Sequence, residues 1–306
     1  MTDLADLTAI LTNRPLLLAI GEQVAPSMNG APLRRLAATL DELRLGARFV
    51  TDVDKEWLRS GAWKAETQGR LPFWEAEVQR LSGDGIEIIS CADPSYPLNL
   101  AMVHDRPPLL FVRGTLTEAD ERAVAVVGTR RASEDGVRLA TRIAAELAAS
   151  GITIVSGLAK GIDTAAHSAA INAGGRTIAV YGTTIDRVYP AANKGLARSI
   201  IRAGACVSQF LPTTRTGPWC FAVRNITTSG LSLGTVVVEA GETSGAKMQA
   251  EAALAHGKRV FLVESLTREV WAQKMAANPQ VTVASNIQNI VDTVGAEVAS
   301  HTSMLI

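Results

Sequence analysis

The sequence predicts an α/β fold: an extended Rossmann-like parallel sheet with helices on both faces, preceded by a small N-terminal helical domain. Three observations carry this. Short apolar runs such as Val124–Val127 and Ile152–Val155 alternate with helical patterns, the signature of βαβ units. Several of these runs end in glycine followed by a hydroxyl or a cation, as where a buried parallel strand delivers polar groups to its carboxyl end. A content of 47% hydrophobic but only 5% aromatic residues implies a core of aliphatics and alanine, which suits helix-flanked parallel strands. At 306 residues the chain has room for one large domain and a smaller one. The expected division is a helical domain over 1–80, a Rossmann-like domain over 81–295 and a tail over 296–306.

In the first 80 residues Leu4, Leu7, Ile10 and Leu11 recur at helical spacing, as do Leu33, Leu36, Leu40 and Leu43. Pro26, Gly30 and Pro32 punctuate the space between. Trp57, Trp63 and Trp74 are read as core, because no basic residues interleave with them as in a base-stacking platform. Residues 85–90 and 107–114 read as two lead-in strands around a proline turn, Asp93–Pro97.

The strand Val124–Val127 runs into Gly128, Thr129 and Arg130. A helix over 135–150 follows, with Leu139, Ile143 and Leu147 on one face and Gly151 as its stop. The strand Ile152–Val155 then leads into Ser156-Gly-Leu-Ala-Lys-Gly-Ile-Asp163. Asp163 is expected to cap a helix over 164–173, with His167 as a buried, satisfied histidine. Further strands are expected at 177–181, 205–209, 234–239 and 258–263. Thr183 and Thr184 are expected to narrow a groove, and Leu196, Ile200 and Ile201 to point inward from a helix. Arg215 lies in a loop rich in Pro, Thr and Gly. A helix from Phe221 brings in Arg224 and Asn225. The turn Ser244-Gly245 opens a helix ending near His256, and a last helix over 287–294 is expected to cover the sheet edge.

Ligands of open parallel sheets sit outside the carboxyl ends of the strands. Glycine there lets backbone N–H groups approach phosphate oxygens, and the following helix turns its positive end toward them. Arg130 adds a planar fork and Lys160 a point charge, so the turns look built for phosphate. Charge agrees: residues 124–265 hold 15 Lys and Arg against 9 Asp and Glu, a net of +6, while the remainder carries −6. The basic half favours a polyanionic partner. Cys91, Cys206 and Cys220 lie far apart, without a metal-ligand pair or disulfide framework, as in a reducing cytoplasm. With no signal peptide or spanning segment recognised, the protein is expected to be soluble and cytoplasmic.

Taken in order, Gly128-Thr-Arg130, the run Ser156–Asp163 with His167, Phe221-Ala-Val-Arg-Asn225, Glu239 and Ser244-Gly245 resemble the DNA-processing protein A (DprA/Smf) family over about residues 85–295. The resemblance implies a dimeric, non-catalytic binder of single-stranded DNA, without a cofactor, that protects incoming DNA and loads the RecA recombinase in natural transformation. It places the contacts at Gly128, Thr129, Arg130, Ser156, Gly157, Lys160, Gly161, Arg224, Asn225, Ser244 and Gly245. The N–H groups of Gly128, Gly157 and Gly245 are expected to help hold successive phosphates, with the bases facing outward. The chain departs from the family pattern at Ala222, where proline is usual, at Ile226, where a second cation is usual, and at Gln209, often glutamate. A missing cation removes a potential phosphate contact. The alternative is a nucleotide-sensing or nucleotide-hydrolysing Rossmann-like protein. Gly234-Thr235 followed by Glu239 is similar to part of a phosphoribohydrolase pattern, although Ser229–Leu233 stands where Pro-Gly-Gly would be. A dinucleotide oxidoreductase fits less, since the first turn is not G-x-G-x-x-G.

Overall fold

A computed structural model of the chain describes residues 13–24, 67–91 and 93–304. The predicted leucine repeats at 4–11 and 33–43, with Trp57 and Trp63, lie outside these residues.

Helices α1 (Arg14–Val24) and α2 (Leu71–Gly83) lead into β1 (Ile86–Ser90), the short α3 (Leu98–Ala101) and β2 (Leu109–Gly114). Then β3 (Ala123–Val127), α4 (Glu134–Ala149), β4 (Thr153–Ser156), α5 (Ile162–Asn172), β5 (Thr177–Val180), α6 (Lys194–Ala203) and β6 (Ala205–Ser208) alternate. They are followed by α7 (Pro218–Leu231), β7 (Gly234–Val237), α8 (Gly245–Ala255), β8 (Arg259–Val263), α9 (Val270–Ala276), β9 (Val281–Ala284) and α10 (Ile287–Met304).

The strands form one sheet in the order β1-β2-β6-β5-β4-β3-β7-β8-β9. From β6 to β9 all neighbours are parallel, and the lead-in pair adds on antiparallel beside β6. Counted from β3, the parallel strands run 4-3-2-1-5-6-7, a Rossmann-like order with one strand more on the first half, and the chain reverses direction of winding between β3 and β7. Every residue of β3 to β7 is buried, because helices cover both faces; this is why these strands read as unbroken apolar runs. On α4, Ile143 and Leu147 are fully buried while Leu139 packs at the margin.

The C-terminal segment differs from expectation. Residues 281–284 add a ninth strand at the sheet edge, and α10 is longer than the predicted helix and packs on that edge strand, as expected, and also on α4, burying Ile290 and Val294. A four-residue strand directly after a helix and a turn offers too little period to be read in sequence.

The N-terminal helices share a core with the sheet. Leu17, Leu18, Ile20, Trp74 and Leu81 cluster with Leu109 and Phe111 of β2 and Ile200 of α6, and α2 itself runs past residue 80. Trp74 is fully buried, as read from sequence, and its indole N–H donates to Glu22 at 3.0 Å. Glu22 also receives two bonds from Arg70, both at 2.7 Å, and the Arg70 bonds lead in holding its carboxyl below the ordinary range. Trp74→Ala therefore removes a large buried side chain and an anchor of this pair; urea denaturation should show a loss of about 3–5 kcal/mol. A change well under 1 kcal/mol would mean that α1 and α2 contribute little to the sheet's stability.

Candidate nucleic-acid interface

The turns after β3, β4 and β7 meet the N-terminal half of α7 around a groove of about 590 Å³ at the carboxyl end of the sheet. Gly128, Thr129, Arg130, Gly157, Arg224, Asn225, Ser244 and Gly245 all line it. Lys160 lines a smaller adjoining pocket of about 160 Å³ that shares Arg130, Gly157, Phe221 and Arg224 with the groove. The three cations named from sequence thus come together from three separate segments. Arg130 and Lys160 are exposed, and no ion pair is found for Arg130, Lys160 or Arg224 among the described residues.

Arg224 is half-buried at the centre. Its Nη1 donates to the Val180 carbonyl at the end of β5 at 2.8 Å, and its Nε has no partner among the described residues. It reaches this place because residue 157 is glycine: a Cβ there would lie 1.7 Å from Nη1. Burial pulls the guanidinium below its usual value; the charge of Asp163 opposes this and that of Arg130 adds to it. Beneath it Asp163 is buried, and its Oδ2 accepts the N–H groups of Gly157 at 3.1 Å and Ala159 at 3.3 Å. Burial raises the Asp163 carboxyl, while the Arg224 charge and the two N–H groups pull it back.

Several expectations are corrected by this geometry. Asp163 is not the N-cap of α5; Gly161 holds that position at φ 77°, with the Thr129 carbonyl oxygen 2.4 Å from where a Cβ would stand. Asp163 instead folds back on the loop before the helix, so the Gly157 N–H is already occupied. Ser156 is fully buried and its hydroxyl donates to the Val126 carbonyl at 2.7 Å, so neither it nor Gly161 lines the groove. Thr183 and Thr184 are buried, bonded to the Arg187 carbonyl and to Asp186, and shape their own loop. Arg215 lies outside the groove lining.

Glu239 takes the place that a Rossmann ligand's phosphate would take. Its carboxylate accepts the Ser133 N–H at 3.1 Å and hydroxyl at 2.9 Å, at the N-cap of α4. A Cβ on Gly136 would be 2.0 Å from Oε2. The positive end of α4 is therefore plugged by an internal anion, and it disfavours a second one. The N-terminus of α8 remains turned to the groove, with the Ser244 hydroxyl accepting the Ala246 N–H at 3.2 Å.

Sequence reasoning passed over the aromatic component. Phe221 lies between the two pockets, with the Arg130 guanidinium carbon 5.3 Å from its ring centroid and Tyr189 at 5.6 Å. Arg131 also lines the groove. The signal was present as a phenylalanine three residues before Arg224, one helical turn away, with an adjacent arginine at 131. Of the departures from the family pattern, Gln209 accepts a bond from the Thr227 hydroxyl, and Ala222 lines the groove.

His167 is fully buried, with Nδ1 2.7 Å from the Thr177 hydroxyl and Nε2 without a partner among the described residues, so among these it is only half satisfied. Burial first, then the Arg224 charge, pushes its pKa down to about 3.

The mostly parallel, Rossmann-like sheet thus gathers cations without ion pairs among the described residues, and an aromatic ring, in an open trough at its strand ends, the arrangement of the Rossmann-like class of α/β proteins. Comparison with known proteins narrows this class: the chain belongs to the DNA recombination-mediator protein A family, whose model matches residues 87–295. It is 34% identical over 222 residues to the DNA processing protein DprA of Bacillus subtilis, covering 72% of this chain and 75% of that one. With DprA of Streptococcus pneumoniae it shares 41% over 174 residues, 57% of this chain and 61% of the other. The X-ray structure of DNA processing protein A from Streptococcus pneumoniae superposes with a TM-score of 0.65 at 29% identity, covering 95% and 97% of the two chains. A Helicobacter pylori structure, described as giving the single-stranded DNA binding mode of DNA processing protein A, superposes at 0.61 with 25% identity over 69% of this chain and 96% of that one. No helix among the described residues is long and apolar enough to cross a membrane.

The buried imidazole sets a pH dependence. The folded-state pKa lies below the ordinary 6.5, so the unfolded chain binds the extra proton first and stability falls as pH drops from 6.5 toward 3. At pH 5 the loss is roughly 2 kcal/mol at about 1.36 kcal/mol per pH unit. Urea midpoints of the wild type and His167→Asn at pH 8 and pH 5 test this: the wild type's advantage should shrink by about that amount at the lower pH. An unchanged gap would show that the ring is protonated in the folded state.

Proposed function

We propose that this protein binds single-stranded DNA along the groove at the carboxyl end of its sheet, without catalysing a reaction there. The observation that carries this reading is the meeting of Arg130, Lys160 and Arg224, free of ion pairs among the described residues, in one trough open to solvent. The three cations hold successive phosphates, helped by Gly128 and Thr129 and by the start of α8 at Ser244 and Gly245, while Asn225 shapes the wall. Such contacts position a strand without reading its sequence. Phe221, with Arg130 over it, offers a face for stacking a base, so at this point a base turns toward the protein. The carboxylates nearby are engaged in holding loops: Glu239 on Ser133 and Asp163 on Gly157.

The unit 81–295 carries the interface, and helices α1 and α2 pack against β2 and α6 beside it. In the cytoplasm the protein protects incoming single strands and assists loading of a RecA-type recombinase in transformation and recombination, acting as a homodimer whose two grooves raise avidity. Family membership and the relatives described above support this reading.

Fluorescence anisotropy with labelled oligo-dT, single against double strand, tests the binding across a salt series. Single strands should bind tighter, and Arg130→Ala and Lys160→Ala should each weaken binding and flatten the log–log salt slope by about 0.7. Phe221→Ala should weaken binding by about 1–3 kcal/mol and leave that slope unchanged. If the wild type ignores oligonucleotides while a mononucleotide raises its melting temperature, the nucleotide-sensing alternative replaces this one.

A further inference from the structure

At the other end of the sheet, where β8 begins, side chains from distant parts of the chain meet. His104 and Asp105 lie between α3 and β2, and His256 is the C-cap of α8. One donor atom from each lies within 4.8 Å of the other two. Nε2 of His256 is 2.8 Å from Asp105 Oδ1, and its Nδ1 is 2.9 Å from the Ser229 hydroxyl. The ring of His104 stands edge-on to that of His256, with centroids 5.6 Å apart.

We propose that His104, Asp105 and His256 bind one divalent transition-metal ion, zinc in preference to magnesium or calcium, at a site separate from the groove. Two imidazoles and a carboxylate, with water in the fourth position, are a donor set that zinc accepts, whereas magnesium and calcium require oxygen ligands. Metal–donor distances of about 2.0–2.2 Å place tetrahedral donors roughly 3.3 Å apart. The His256–Asp105 contact would open by about half an ångström as the metal takes the place of the proton between them. His104 is exposed and free to swing inward. The Ser229 hydroxyl already fixes the second nitrogen of His256, the kind of outer partner that orients a ligating ring.

Helices α7 and α8 both end here, and the carbonyls of Ser229 and Gly230 hold the Lys258 ammonium at 2.8 and 2.7 Å. Those carbonyls offset the charge of Lys258, so it does not stand unscreened against the ion. The bound metal ties the segment before β2 to the corner between α8 and β8, which the contact between Asp105 and His256 already joins.

Titration of the full-length chain, stripped with a chelator and freed of it, tests the site. Isothermal titration should show one equivalent of Zn²⁺ bound with a rise in melting temperature, and Co²⁺ should give the visible bands of a tetrahedral nitrogen–oxygen site. His104→Ala, at an exposed position, should keep the fold and weaken zinc binding roughly tenfold or more, with oligonucleotide affinity unchanged; Asp105→Asn should do the same. Equal zinc affinity in wild type and His104→Ala, no saturable binding by the wild type, or a thiolate-to-cobalt charge-transfer band would each overturn the proposal.

Discussion

The carboxylate of Asp163 is the constraint on which the groove depends. A buried carboxyl group needs donors and opposite charge to offset its loss of water. Here the donors are the N–H groups of Gly157 and Ala159, and the charge is that of Arg224. One buried group therefore fixes the path of the loop after β4 and holds a guanidinium at the centre of the trough. Arg224 in turn is pinned by the Val180 carbonyl, so the loop after β4, the end of β5 and the wall formed by α7 are locked to one another. The Nε of Arg224 is buried in this arrangement and has no hydrogen-bond partner among the described residues.

A second internal carboxylate, Glu239, bears on the kind of ligand proposed above. In a nucleotide-binding Rossmann protein the first helix after the first strand receives the phosphates. Here Glu239 occupies that helix end through Ser133. Charge recognition is thereby moved off the backbone and onto side chains spread along the strand ends. Side-chain cations several residues wide suit a chain of phosphates, whereas a glycine-rich helix terminus suits one compact group.

Much of this was legible in the sequence, and for a physical reason. Strands buried on both faces must be continuously apolar, and turns that approach phosphate or each other must be glycine, so Val124–Gly128 and Ile152–Gly157 announce themselves. The cations at 130, 160 and 224 were legible as a set because each follows or faces such a turn. What escaped was whatever depends on which partner a polar group finds. Asp163 stands where an N-cap would, yet its carboxylate turns to the preceding loop; Glu239, at a strand end, reads as an acceptor that orders loop N–H groups, and so it is, but that its target is Ser133, 106 residues away, was not legible. Ser156 sits inside a glycine-rich turn but points its hydroxyl into the sheet. The same limit hid the pairing of Asp105 with His256, 151 residues apart, since no local spacing joins them.

The space above Gly157 is occupied by a guanidinium that belongs to another segment, and this has an evolutionary corollary. Neither position can drift alone: a methyl group at 157 evicts the arginine, and a shorter residue at 224 relieves the pressure that keeps 157 bare. Related chains should therefore inherit or abandon the two together. Among diverged members of the lineage, a bulkier residue at the first site would mark the branch in which the second has changed its work.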